Sequence, residues 1–165
     1  MVLTIEIIML CILFSIVIIF GTKKNPIQGL HNLPKEIQER VSELHEYKDR
    51  NIQIVSAKQR ILKKLPAIVI LAFVFCTMIY CAGARTFLQG FLYTLILWTV
   101  IKLYVTLVLN CGWYAHTPSV WIKCTEDMKS EYQNYKFYLS SIPRSLLAGA
   151  AVSALVGLAI IVVGD

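Results

Sequence analysis

Charge is what this chain of 165 residues has least of: Asp, Glu, Lys and Arg make up only 16% of it, against 57% hydrophobic residues. Soluble domains run near a quarter charged, so this scarcity excludes an ordinary soluble domain. Glycine and proline, at eight and five residues, are too sparse for a collagen repeat, and the polar bias that disorder needs is absent. The five cysteines, Cys11, Cys76, Cys81, Cys111 and Cys124, are odd in number and form no C-x-x-C pair. Their spacing therefore specifies neither a disulfide framework nor a thioredoxin-type motif. Catalytic signatures are also lacking, with no G-x-x-x-x-G-K-[ST], no H-E-x-x-H, no G-x-S-x-G and no D-x-x-D; these would respectively cradle phosphates, bind zinc, carry a nucleophile or hold a divalent metal. On this reading no catalytic residue and no cofactor is assigned. Cys111, His116, Cys124 and Glu126 bear metal-capable groups, but their spacing is not that of paired ligand knuckles, so no metal site is assigned either.

What the chain does have is long apolar runs, over residues 2–20, 65–84, 86–109 and 145–163. Each approaches or exceeds the roughly 20 residues that cross a bilayer as a helix. The first is expected to be a span rather than a signal peptide, because no Lys or Arg precedes it, it carries Glu6, and it ends in Ile-Ile-Phe rather than a small-residue cleavage site. The fold class expected is thus an all-α integral membrane protein, a single membrane domain over 1–165 with four transmembrane helices. Gly21 and Pro26 are expected to end the first helix, and the short Gly83-Ala84-Arg85 joint makes the second and third antiparallel neighbours.

Two polar connections, 21–64 and 110–144, separate the spans. In the first, Pro34 suits a helix start, and Ile37, Val41 and Leu44 form a narrow apolar stripe. Ser56 and Gln59 read as a capping box opening a short basic helix with Lys58, Arg60, Lys63 and Lys64. In the second, Thr125 is expected to open a helix with Glu126 and Asp127 in its first turn and a stripe of Met128, Tyr132, Tyr135 and Leu139, with Trp113, Trp121, Phe137 and Tyr138 nearby. Both connections are expected to contain interfacial amphipathic segments, the second with an aromatic belt.

Three sets of residues are candidates for a site. Glu6 lies roughly 6 Å inside the first span, and Arg85 is its candidate intramembrane partner. Thr99, Lys102, Thr106 and Asn110 recur at spacings of three, four and four, so they form a polar seam on one face of the third helix. Gly149, Ser153 and Gly157, flanked by Ala150 and Ala154, give the last span a small face on which another helix can pack closely.

Residues 21–64 hold ten Lys and Arg against five acidic residues, residues 110–144 hold four, and the joint holds only Arg85. Basic loops stay on the cytoplasmic side, so both long connections are expected there, with the amino terminus, the joint and Asp165 outside. The net charge of +6 then serves anionic lipid headgroups at the basic segment rather than nucleic acid. The phrases G-T-K-K-N-P-I-Q-G-L-H-N-L-P-K-E-I-Q-E-R-V and W-I-K-C-T-E-D-M resemble those of small, uncharacterised multi-pass bacterial membrane proteins sometimes labelled permease-like. That resemblance implies a bacterial cytoplasmic membrane. The function expected is that of a non-catalytic, permease-like or accessory subunit, with a homo-oligomer or membrane complex as partner. The alternative is a membrane-embedded enzyme acting on a lipid or amphiphile at the cytoplasmic face, with His116, Glu126, Asp127 and Lys102 as its polar groups.

Overall fold

Every regular element among the described residues is helical in the computed structural model, which describes residues 2–24, 26–44 and 57–164. In chain order these are α1 (Val2–Lys24), a 3-10 helix (Pro26–Asn32), α2 (Lys35–Glu43), α3 (Ala57–Cys81) and α4 (Phe87–Tyr104). A π-helical segment (Val105–Trp113), two 3-10 turns (Tyr114–His116 and Pro118–Val120), α5 (Lys129–Tyr132) and α6 (Tyr135–Gly164) complete it. Among the described residues, three stretches are long and apolar enough to cross a membrane: Leu3–Lys24, Phe87–His116 and Lys129–Val163. The remaining run is a shorter apolar stretch, Val69–Cys81, at the end of α3.

The boundaries differ from those expected in instructive ways. Gly21 lies inside α1, which stops at Lys24, two residues short of Pro26. A single glycine costs an apolar helix only about 1 kcal/mol, whereas a proline removes a donor and clashes with the preceding turn. The basic residues 58–64 belong to the same helix as the second apolar run, with Pro66 inside it; Ser56, the expected cap, lies outside the described residues, as does Asp165. The last span does not begin at 145 but is the continuation of a helix starting at Tyr135 that passes through Pro143.

The chain divides into two compact units. One comprises Met1–Leu10, Ile54–Lys102 and Pro143–Asp165. Its core is made by Phe75, Ile79, Ala84, Leu97, Ile101, Val152, Val156 and Ile160. The joint between α3 and α4 is a Schellman turn: Ala84 N–H donates to the Ile79 carbonyl and Gly83 N–H to the Tyr80 carbonyl, at 3.1 Å each. Gly83 sits there at φ +95°, which a side chain would strain.

The other unit comprises Cys11–Gln53 and Leu103–Ile142. Here the 3-10 helix and α2, with the turn between them, supply Leu30, Leu33, Ile37 and Val41, and the second connection supplies Val120, Trp121, Ile122 and Tyr132, all in one buried core. This corrects the expectation of two interfacial amphipathic segments. The stripe Ile37–Val41 is completely enclosed by protein rather than laid on headgroups, with Leu44 partly buried beside it. The expected helix from Thr125 is instead a turn, because the Thr125 hydroxyl donates back to the Ile122 carbonyl at 2.7 Å rather than capping the residues after it. The helix of Lys129–Tyr132 then breaks at Gln133–Asn134, which resets the phase: Tyr132 and Tyr138 point inward, and Tyr135 and Leu139 outward.

Candidate functional site

The three residue sets singled out from the sequence fare differently. The small face of α6 meets α4. A Cβ added to Gly149 would stand 2.4 Å from Cδ1 of Trp98, and one added to Gly157 would stand 2.9 Å from Cδ2 of Phe87. The indole of Trp98 lies where a side chain at 149 would be, its Nε1–H donating to the Ser145 carbonyl at 2.9 Å. Phe75 of α3 meets the same ring edge-on, with centroids 6.4 Å apart. Ser153 is fully buried and donates to the Gly149 carbonyl at 2.7 Å, so its hydroxyl is spent within its own helix. One member of this contact was missed: a Cβ at Gly90 would lie 3.1 Å from the Gly157 Cα. The signal was present, since Gly90 and Thr94 are small residues four apart on an apolar helix.

Glu6 and Arg85 are not brought together. The Arg85 guanidinium lies over the Tyr80 ring, 3.9 Å from its centroid, and donates to the Tyr80 and Ala84 carbonyls at 2.7 and 2.9 Å. Those carbonyls belong to the turn in which Arg85 itself sits, so the local partners win over the distant carboxylate. Glu6 is only 9% exposed, and its Oε2 has no hydrogen-bond partner.

The seam is divided between the two units, Thr99 and Lys102 in one, Thr106 and Asn110 in the other. Thr99 donates to the Leu95 carbonyl at 2.7 Å. Thr106 and Asn110 lie in the π-helical segment, whose wider turns change the spacing that placed them on one line. Thr106 is fully buried with no partner for its Oγ1, and Asn110 is half-buried.

The most elaborate arrangement of side chains was legible only in part. Around Tyr132, which is fully buried, three rings gather: Trp121 stacks parallel at a centroid distance of 4.4 Å, Tyr114 tilts at 5.8 Å, and Tyr138 donates its hydroxyl to the Tyr132 carbonyl at 3.2 Å. The Tyr132 hydroxyl lies 2.8 Å from the Thr125 hydroxyl and accepts the Ile122 N–H at 3.3 Å. A buried phenol with both its neighbours satisfied fixes one geometry for the turn between them.

His116, Glu126 and Asp127 do not converge. His116 is exposed, stacked on Tyr135 with centroids 6.3 Å apart, and its Nδ1–H donates to the Cys111 and Gly112 carbonyls at 3.1 and 2.9 Å. Glu126 and Asp127 lie exposed on the turn. No group of three or more metal-capable side chains occurs among the described residues. The end of the third apolar stretch is closed by His116 together with two neighbours: Thr117 Oγ1 donates to the Trp113 carbonyl at 2.6 Å and Trp121 Nε1 to that of Tyr114 at 2.8 Å. Comparison with known proteins finds no family model, curated protein or solved structure that matches the chain.

Proposed function

We propose that the chain is an integral membrane protein of a bacterial cytoplasmic membrane that crosses the bilayer four times and serves as a non-catalytic accessory subunit of a membrane complex. The observation that carries the proposal is the core shared by the two connections. Residues that enclose one another in water-side structure lie on one side of the bilayer. Phe87–His116 leads from the Arg85 turn to the second connection in a single crossing. The chain must then cross between residues 44 and 85 as well, and α3, with its apolar Val69–Cys81, is the helix that does it. The fourteen Lys and Arg of the connections against one in the turn put the shared core in the cytoplasm, and anionic lipid headgroups are partners of the basic start of α3.

The accessory reading is favoured over catalysis because His116 is engaged with backbone carbonyls, away from the carboxylates that would accompany it. It is favoured over a permeation role because the hydroxyls of Ser15, Thr94, Thr99 and Ser153 donate to carbonyls of their own helices. Hydroxyls bonded to their own backbone need no solute as a partner. Native mass spectrometry of the chain purified from its own membrane in mild detergent tests the role. A complex of fixed stoichiometry with another membrane protein is expected. A chain that purifies alone and, once reconstituted, moves a solute or turns over a lipid overturns the reading.

A further inference from the structure

The glycines of the apolar helices do not all serve one purpose. A Cβ added to Gly90, Gly149 or Gly157 would meet another helix, at 3.0, 2.4 and 2.9 Å respectively. At Gly112, in the π-helical Val105–Trp113, it would meet only the Leu107 carbonyl of the same segment, at 3.4 Å. Gly112 is exposed, so the surface beside it is open and no neighbouring helix accounts for it.

Around that opening the surface changes from polar to apolar in one direction. His116, the last residue of Phe87–His116, stacks on Tyr135, the first residue of α6, and both are exposed. The Tyr135 hydroxyl lies 3.3 Å from His116 Nε2, long for a bond between them. Lys136, next along α6, is exposed as well. One turn into α6 Leu139 lies exposed, and Val108 lies exposed four residues before Gly112. Going inward from both ends, two polar rings and an ammonium therefore give way to apolar side chains. All of these residues belong to the unit of Cys11–Gln53 and Leu103–Ile142.

Charge decides what suits such a surface. Neither α4, the π-helical segment nor α6 contains an acidic residue. Glu131, the carboxylate nearest to Lys136 in sequence, accepts the Ser130 hydroxyl at 2.6 Å. A cation and amphipathic rings at the edge of an apolar surface match a phosphate joined to acyl chains. We propose that an anionic phospholipid binds here, its phosphate against Lys136, Tyr135 and His116 and an acyl chain against Val108, Leu139 and the open surface at Gly112. The site rests on the membrane placement proposed above and is independent of the accessory role.

The full chain in nanodiscs of phosphatidylcholine and phosphatidylglycerol tests it, with one lipid or the other carrying a photoreactive diazirine on its acyl chain. The phosphatidylcholine probe reports the crossing: failure to label residues 87–116 would overturn the membrane placement, and the site with it. The phosphatidylglycerol probe is expected to label the peptides holding Val108 and Leu139 in excess of the phosphatidylcholine probe. Lys136→Gln should lower that excess about fivefold, the effect of one cation at the surface, and Lys136→Arg should retain it. Lys136 is exposed, so both variants keep the fold. Equal labelling by the two lipids, an excess unchanged in Lys136→Gln, or displacement of the probe by free glycerol 3-phosphate would each overturn the site.

Discussion

Gly149→Leu is expected to lower the stability of the folded chain by about 3 kcal/mol or more, at the upper end of what overpacking costs. The first atom of any side chain there meets the Trp98 indole at 2.4–2.8 Å, too close for a small shift to relieve. Trp98 can escape only by rotating, which breaks its Nε1 bond to the Ser145 carbonyl and its edge contact with Phe75. Most of the loss should therefore already be present in Gly149→Ala. Combining that change with Trp98→Leu should recover part of it, because the two sites are coupled through one contact. Leu at the exposed neighbouring position 148 should change little. Thermal unfolding followed by circular dichroism in detergent measures all four variants, and an unchanged midpoint for Gly149→Leu would show that this face meets nothing rigid.

The second large effect is expected at Tyr132. Its ring fills the middle of the core shared by the two connections, and truncation to Ala should cost about 4 kcal/mol, as for other buried aromatic residues. Tyr132→Phe keeps the ring and the Trp121 stack but leaves the buried Thr125 hydroxyl and Ile122 N–H each short of a partner, for about 1–3 kcal/mol. The turn carrying Lys123 and Lys129, both exposed, should loosen in the same order. Tryptic cleavage at those two sites is then slowest in the parent, faster in the Phe variant and fastest in the Ala variant. Equal rates in all three would remove Tyr132 from its central place.

The parts of the architecture that composition dictates were legible in the sequence. Crossing a bilayer takes a long run of apolar residues whatever else the chain does, so residues 2–20, 86–109 and 145–163 announce themselves. Close helix contact takes small residues at fixed spacing, so Gly149 and Gly157 do too. Their partners Trp98 and Phe87 were not legible, because spacing on one helix says nothing of what faces it. The stripe of Ile37, Val41 and Leu44 was read as lying on headgroups because lipid and protein cover an apolar stripe equally well; its cover, which includes Trp121 and Tyr132, comes from the second connection, far along the chain. The stripe of Met128, Tyr132, Tyr135 and Leu139 failed because Gln133–Asn134 interrupts the helix. The π-helical turn has no compositional mark at all, and it holds Thr106 and Asn110 but not Thr99 and Lys102, so the seam does not run along one regular helix.

In the proposed topology both connections lie on the cytoplasmic side and the Arg85 turn on the other, with α3 as a crossing between them. Single cysteines introduced as Glu39→Cys, Lys129→Cys and Thr86→Cys, each in a background with the five native cysteines replaced, test it with an impermeant maleimide. All three positions are exposed. Residue 86 is expected to react on intact cells, and 39 and 129 only once the membrane is permeabilised. Reaction of 39 and 129 from opposite sides, or of 86 from the same side as both, would contradict it.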